Sequence, residues 1–188
     1  MNPMTRRRAL LAAAAAGLWP VAHAAAPPTG WVRPRVAAPA CALTASDGRA
    51  LPLPSLLAGK VTAVQLIFTG CSNSCPLQGA LFAALAARLP TSGFQLLSIS
   101  VDALGDSPAA LGEWLGRFGR PPGWSAAVPA VTEVDRVATF LRGVPASAGT
   151  HTAQVFVADR QAQLCYRTGD APDLAFLTAL LAQVARDG

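Results

Sequence analysis

Residues 61–76 read VTAVQLIFTGCSNSCP, and they place Cys71 and Cys75 directly after an apolar run. The run from Val61 to Phe68 is apolar and partly β-branched, which is typical of a strand buried on both faces. After Pro76, leucines recur every fourth residue from Leu77 to Leu89, a spacing that predicts a helix ending before Pro90. The stretch therefore predicts a buried strand, a short polar turn that carries both cysteines, and a helix.

The rest of the chain continues the alternation of strands and helices. Ser107-Pro108 has the pattern of a helix start, with serine as the N-cap and proline at the first helical position. The further predicted elements are strands at Phe94 to Val101, Thr152 to Val157 and Gln163 to Arg167, helices at Ser107 to about Phe118, Thr132 or Glu133 to Leu141 and Asp173 to about Arg186, and a loop over RPPGW at 120–124. This α/β order fits a thioredoxin-like fold over residues 40–188, a central mixed β-sheet flanked by helices.

An N-terminal hairpin precedes this domain. Two short extended segments flank Asp47-Gly48 within residues 40–60, and an Asp-Gly pair favours a hairpin turn. Residues 25–39 (AAPPTGWVRPRVAAP) are rich in alanine and proline, which predicts a flexible or extended lead-in.

Residues 1–24 have the layout of an export signal. A basic start is followed by an apolar run and by a small-x-small end at Ala22-His23-Ala24, so we expect cleavage after Ala24. The segment TRRRALL at 5–11 resembles a twin-arginine signal, which would export a folded domain to the periplasm. The alternative is an uncleaved membrane anchor, but the apolar segment is short and contains Pro20.

Removal of this signal changes the charge and the supply of metal ligands. The net charge of +5 falls to +2 without Arg6, Arg7 and Arg8, so the composition gives no reason to propose a nucleic-acid partner. His151 becomes the only histidine, whereas all four cysteines remain. In an oxidising compartment, a cysteine pair can be a structural disulfide, a redox pair or part of a metal site.

The position of Cys71 and Cys75 at a helix start suits them to thiolate chemistry. Exposed N–H groups there should lower both thiol pKa values, and a thiolate is both a nucleophile and a soft metal ligand. The four-residue spacing allows both sulfurs to converge on one ion, and it also allows a local disulfide. Zinc is less favoured, because only one histidine remains to complete four ligands.

His151 precedes the predicted strand TAQVFV (residues 152–157), and in a thioredoxin-like sheet that loop approaches the start of the helix with the cysteines. Two thiolates and one imidazole form a soft site that suits Cu(I) and is workable for Cu(II). The alternative is a histidine with a structural role or simple exposure to solvent.

The chain resembles the Sco/SenC family of copper-binding, thioredoxin-fold proteins that serve cytochrome c oxidase assembly. The family motif, aromatic-Thr-x-Cys-x-x-x-Cys-Pro, is matched by Phe68 to Pro76. Further matches are Ser100-Val101-Asp102, Asp106-Ser107-Pro108, Glu113-Trp114-Leu115 and His151-Thr152 before an acidic strand end at Asp159. The resemblance covers about residues 43–181 and implies a copper site of Cys71, Cys75 and His151.

Some residues depart from that pattern or fall outside it. Family members usually have Asp before the histidine and often an acidic residue between the cysteines, whereas this chain has Thr150 and Asn73. Cys41 and Cys165 have no place in the motif. We expect them to pair as a structural disulfide across the sheet, the alternative being two buried thiols.

Two functions follow from these expectations. The first is a copper metallochaperone that passes one copper ion to the binuclear copper site of a terminal oxidase or to another exported cuproprotein. The second is an enzyme, a thiol–disulfide oxidoreductase that reduces exported client proteins through Cys71 and Cys75. A thiol peroxidase is less favoured, because the Pro/Thr/Cys arrangement of such enzymes is absent from the sequence.

Overall fold

The computed structural model describes residues 28–146 and 152–188, which form an eight-stranded mixed sheet with helices on both faces. The strand order is β1-β8-β7-β4-β5-β6-β2-β3. The strands are β1 (Gly30–Ala37), β2 (Ala42–Ala45), β3 (Ala50–Pro52), β4 (Val61–Ile67), β5 (Phe94–Ser100), β6 (Trp124–Pro129), β7 (Gln154–Ala158) and β8 (Gln163–Asp170). The helices are α1 (Leu53–Leu57), α2 (Ser74–Ala86), α3 (Pro108–Gly116), α4 (Val134–Arg142) and α5 (Leu174–Asp187), with a 3₁₀ turn at Val131–Glu133.

The centre of the sheet is built from strands that the sequence predicted as buried. Every residue of β4 is buried, and β4 pairs in parallel with β5, which pairs in parallel with β6. The other strand pairs are antiparallel, including β4 with β7 and β7 with β8. The prediction of a mixed sheet is therefore confirmed.

Two separate hydrophobic cores lie on the two faces of this sheet. One core packs α2, α3 and α5 against the sheet through residues such as Phe82, Trp114 and Leu177. The other packs α1 and α4 through Leu57, Phe140 and other residues. The central sheet is thus covered on both sides, as its apolar strands require.

The predicted hairpin and helix starts are present. β2 and β3 pair antiparallel around the Asp-Gly turn. Ser107 caps α3 by accepting a hydrogen bond from the backbone N–H of Ala110, and Asp173 caps α5 by accepting one from Phe176. Both caps satisfy a helix N–H group that has no partner within the helix.

Two stretches are more regular than the sequence predicted, and a third lies outside the described residues. Residues Gly30–Ala37, within the stretch predicted as a flexible or extended lead-in, form the edge strand β1 and pair with β8. The loop prediction over 120–124 missed β6, which begins at Trp124, because a proline-rich start hid the short apolar strand that follows. Residues 1–27 include the predicted export signal and lie outside the described residues.

The buried face of α2 follows the leucine series only in part, since Leu85 is buried and Leu77 is not. Leu77 is 74% exposed, although it belongs to the leucine series that predicted the helix. The buried face instead consists of Cys75, Gln78, Gly79, Phe82 and Leu85. The helix begins at Ser74, three residues earlier than predicted, so Cys75 and not Leu77 is the first residue of its core-facing stripe.

Candidate metal centre

The cysteine loop lies at the edge of the sheet where β4 and β5 both end. Parallel strands deliver their carboxyl ends to the same edge, so the loops after Ile67 and Ser100 are neighbours. β7 runs antiparallel to β4 and therefore begins at this edge, with Val155 opposite Gln65. The topology brings the cysteine loop, the loop after β5 and the chain that enters β7 together.

Cys71 and Cys75 occupy different local structures within this loop. Cys71 precedes α2 and is half-buried, whereas Cys75 is the second residue of α2 and is 3% exposed. The Cys71 backbone N–H donates to the carbonyl of Phe68 over 3.1 Å, which folds the loop back on the strand end. A hydrogen bond joins the Cys75 and Cys71 side chains, so the sulfurs converge through this turn and not through a shared helical face.

The two thiols have opposite acidities. Partial burial acts to raise the pKa of Cys71, but hydrogen bonds from the backbone N–H groups of Cys75 and Asn73 outweigh it and lower that pKa to about 7. Burial raises the pKa of Cys75 to about 11, although the Phe68 backbone acts in the opposite direction. The expectation of two acidified thiols is therefore correct for Cys71 and wrong for Cys75, because helix-start N–H groups do not compensate for desolvation of the buried sulfur.

Asp106 ties the cysteine loop to the end of β5. Its carboxylate accepts hydrogen bonds from the backbone N–H of Thr69 at 3.0 Å and from the Thr69 hydroxyl at 2.5 Å. It also accepts one from the Ser100 hydroxyl at 2.6 Å. Hydrogen bonds to a buried charged group are among the stronger ones, so this carboxylate fixes the residue two positions before Cys71.

Asp102, by contrast, has only a turn role. Its carboxylate accepts from the backbone N–H of Gly105 at 2.9 Å and closes the turn that leads to Asp106. The sequence contained both aspartates, but no residue pattern distinguished the buried Asp106 from the partly exposed Asp102.

A small cavity of about 10 Å³ lies beneath the cysteine loop, beside Cys75. It is lined by Leu66, Ile67, Phe68, Ser74, Cys75, Gln78, Val101 and Thr152. Thr152 is the residue that follows His151 in the sequence, so the chain segment with the predicted third ligand adjoins this cavity. His151 itself lies outside the described residues, and within residues 28–146 and 152–188 no group of three His, Cys, Asp or Glu side chains forms a metal site.

Gln78 is the polar side chain of this cavity that sequence reasoning missed. It is 4% exposed, and neither its amide nitrogen nor its amide oxygen has a hydrogen-bond partner. An unpaired buried polar atom costs about 1–3 kcal/mol, so both atoms are available to a ligand. Counting helical positions from Cys75 would have found it, because residues 75, 78, 79 and 82 share one face.

Cys41 and Cys165 are free thiols, and the predicted disulfide between them is wrong. Cys165, on β8, belongs to the core that contains α2 and α5, whereas Cys41 belongs to the core on the opposite face. Burial raises the pKa of Cys165 to about 12, and its thiol donates to the carbonyl of Val157 at 3.2 Å. Both residues behave as small hydrophobic side chains.

Comparison with known proteins gives the family. The SCO1/SenC family model matches residues 40–186 of the chain. The chain belongs to this family. A comparison with curated proteins gave no match.

Three solved structures are similar to this SCO1/SenC protein. Yeast Sco1 with copper bound has 19% sequence identity and a TM-score of 0.68, with 81% of this chain and 94% of that chain covered. Bradyrhizobium japonicum ScoI with copper bound has 22% identity and a TM-score of 0.64, with 79% and 99% covered. BsSco, described as a Sco-family cytochrome c oxidase assembly protein with a disulfide switch, has 17% identity and a TM-score of 0.67, with 80% and 94% covered.

These similarities confirm the thioredoxin-like fold of the SCO1/SenC chain. They also show that proteins of this fold and family have been solved with copper bound. The local site supplies donors that fit such an ion, because Cys71 and Cys75 converge beside a buried amide with no partner. No helix within residues 28–146 and 152–188 is long and apolar enough to span a bilayer.

Proposed function

We propose that this SCO1/SenC protein is a periplasmic copper metallochaperone that holds one copper ion through Cys71, Cys75 and His151. The observation that carries the proposal is the contact between the two sulfurs, next to a cavity that Thr152 also lines. Thiolates and an imidazole are the soft donors that Cu(I) prefers. The cargo would then pass by ligand exchange to the binuclear copper site of a terminal oxidase or to another exported cuproprotein, and copper-bound relatives support that direction.

The first test is an anaerobic Cu(I) titration of the reduced domain against a competing chelator. We expect one tightly bound copper in the wild-type chain, and a clear loss of affinity in Cys71→Ser, Cys75→Ser and His151→Ala. The matched controls are Cys41→Ala and Cys165→Ala, which remove thiols from the two cores and should leave copper stoichiometry unchanged. Copper affinity that is indifferent to His151 would contradict the three-ligand site.

Delivery is tested separately by mixing the copper-loaded protein with an apo binuclear copper domain. We expect the copper content of the acceptor, measured by elemental analysis after the two proteins are separated, to rise while copper leaves the donor, since Cu(I) exchange between soft sites needs no redox reactant. An acceptor that fills no faster than with free chelated copper would contradict delivery.

A second candidate function is thiol–disulfide exchange by the same pair. In this reaction the Cys71 thiolate attacks a client disulfide and forms a mixed disulfide, releasing one client thiolate. Cys75 then attacks the Cys71 sulfur, which releases the second client thiol and leaves a Cys71–Cys75 disulfide that an exported thiol reductant must reduce. The contact between the two sulfurs and the disulfide switch described for BsSco favour this candidate.

Trapping distinguishes the two functions. A Cys75→Ser variant should accumulate mixed disulfides through Cys71 if exchange is the activity, because the resolving thiol is missing. The Cys71→Ser variant is the control and should trap nothing, since Cys75 is 3% exposed. Equal trapping by both variants, or by neither, would contradict the exchange role.

A further inference from the structure

The outer face of α2 is apolar and open to solvent beside the cysteine loop. Among the four described helices of nine or more residues, α2 alone contains no charged residue. Its exposed positions are Pro76, Leu77 and Ala80. A helix that is apolar on every side is normally buried on every side, so the open face of α2 has the character of an interface.

A second exposed apolar side chain lies in the loop after β5. Leu104 is 86% exposed and Leu77 is 74% exposed, the two highest values among the large apolar side chains of the described residues. The loop that carries Leu104 is joined to the cysteine loop, because the carboxylate of Asp106 accepts a hydrogen bond from the backbone N–H of Thr69. Both leucines therefore lie at the same edge of the sheet as Cys71.

The two loops at this edge present little charge to a partner. Residues 68–78 (FTGCSNSCPLQ) include no charged side chain. In the neighbouring loop, Asp106 is buried, and the carboxylate of Asp102 is used to close its own turn. An uncharged partner surface can settle here without desolvating an unpaired charge, which would be costly.

We propose that Leu104 and the outer face of α2 are the docking surface for the protein that exchanges copper or a disulfide with Cys71. The proposal rests on the proposed function, since both candidate functions require direct contact with the Cys71 sulfur. That sulfur is half-buried, so a partner that reaches it also covers the side chains around it. The partner that fits is a protein segment whose own cysteine or metal ligand is flanked by uncharged, apolar side chains.

Three short peptides of equal length test this preference without the natural partner. Each contains one cysteine in a mixed disulfide with thionitrobenzoate, and the flanking residues are leucine and alanine, glutamate, or lysine. The Cys71 thiolate attacks the peptide sulfur, forms a disulfide with it and releases thionitrobenzoate, whose absorbance gives the rate. We expect the reduced protein to react about 10-fold faster with the apolar peptide than with either charged peptide. The rate with the apolar peptide should change little between low and high salt, because salt screens charges and not apolar contacts.

Two substitutions remove the apolar side chains of the surface. Leu77→Ser and Leu104→Ser should each slow the reaction with the apolar peptide about 3–10-fold and leave the rates with the charged peptides nearly unchanged. Val36→Ser is the matched control and should change no rate, since Val36 is 41% exposed on β1, which β8 and β7 separate from β4. A small uncharged probe, 2-hydroxyethyl disulfide, should react with every variant at the wild-type rate.

The outcomes distinguish this inference from the proposed function. If the three peptides react equally, or if the leucine variants keep the preference, the docking surface is wrong, and the copper titration still decides the proposed function. If 2-hydroxyethyl disulfide also reacts more slowly with the leucine variants, the substitutions have altered the thiol and the assignment is wrong. A wild-type dimer in sedimentation that Leu77→Ser abolishes would assign the surface to a second copy of the chain and reject the client. A leucine-dependent preference in a protein that binds no copper would support the docking surface and reject copper delivery.

Discussion

At the scale of single residues, two cysteines of one loop have been given different chemistry by a few hydrogen bonds. Backbone N–H groups reach the sulfur of Cys71, whereas Cys75 is desolvated by the core that contains α2. Cys71 is therefore the more acidic and the more accessible thiol. Cys75 is the member of the pair that lines the cavity.

This difference predicts a pH-dependent order of alkylation. In the native protein, the rate at which iodoacetamide modifies Cys71 should rise with pH and reach half its maximum near 7, because the thiolate is the reacting form. Cys75 should stay unmodified until the pH approaches its much higher pKa of about 11. Peptide mass spectrometry measures both sites, and the urea-unfolded chain, in which both should react with a midpoint near about 8.5, is the control.

Removal of the Asp106 carboxylate should lower the stability of the protein, because this group holds the cysteine loop against the end of β5. Asp106→Ala leaves the Thr69 N–H and the Thr69 and Ser100 hydroxyls without their acceptor, and we expect a loss of about 2–4 kcal/mol in the free energy of unfolding. Urea denaturation measures it. Asp102→Ala, which removes one hydrogen bond in an exposed turn, should cost less than about 1 kcal/mol. Similar losses of unfolding free energy in the two variants would contradict the role of Asp106 in holding the cysteine loop.

At the scale of elements, α2 is held by a close contact that only glycine permits. A Cβ atom on Gly79 would lie 2.1 Å from the ring of Phe118, and that ring packs against Trp114 and Trp124 with centroid distances of 5.1 and 5.5 Å. The two tryptophans therefore occupy the space into which the Phe118 ring would have to move. This contact sets how deeply the start of α2, with Cys75, approaches the sheet.

Gly79→Ala should accordingly destabilise the protein despite the better helix propensity of alanine. Overpacking costs about 1–3 kcal/mol, against a helix gain of about 1 kcal/mol, so the melting temperature should fall by about 2–4 °C or more. Gly93→Ala is the matched control, because a Cβ atom there meets nothing within 4 Å. Calorimetry compares the melting temperatures of the two variants. An unchanged melting temperature for Gly79→Ala would contradict the prediction, because the aromatic rings would then have moved to accommodate the added methyl group.

At the scale of the whole molecule, the sheet separates the four thiols into distinct environments. Mild oxidation of the native protein should consume only Cys71 and Cys75, since Cys41 and Cys165 lie in cores on opposite faces. Alkylation of the oxidised protein after unfolding in urea at pH about 8, followed by mass spectrometry, should then find free thiols at Cys41 and Cys165 in full yield. A peptide pair that contains a Cys41–Cys165 disulfide would contradict the structure.

The sequence was sufficient for the order of most elements and for the cysteine loop, because both depend on local patterns, but it did not predict β1 and β6 as strands. The apolar run of β4, the Ser107-Pro108 start of α3 and the Asp-Gly turn each act over a few residues. The roles of Gln78 and Asp106 were missed because both depend on burial. Gln78 faces the core because α2 starts three residues earlier than predicted, and Asp106 is buried beside the end of β5. The pairing of Cys41 with Cys165 failed for the same reason, since the side of the sheet that each faces is set by register across distant strands.

The separation of thiols also makes the timing of oxidation important. When an oxidant meets an unfolded chain, four cysteines can form three complete pairings; two of these leave the Cys71–Cys75 pair broken, and the third joins Cys41 to Cys165, which the folded sheet holds apart. Once the eight strands are assembled, that choice no longer exists, and an oxidant finds only the loop pair. If the chain folds before it crosses the membrane, only Cys71 and Cys75 can form a disulfide on the far side. If it crosses unfolded, a disulfide isomerase would be needed to convert wrongly paired cysteines.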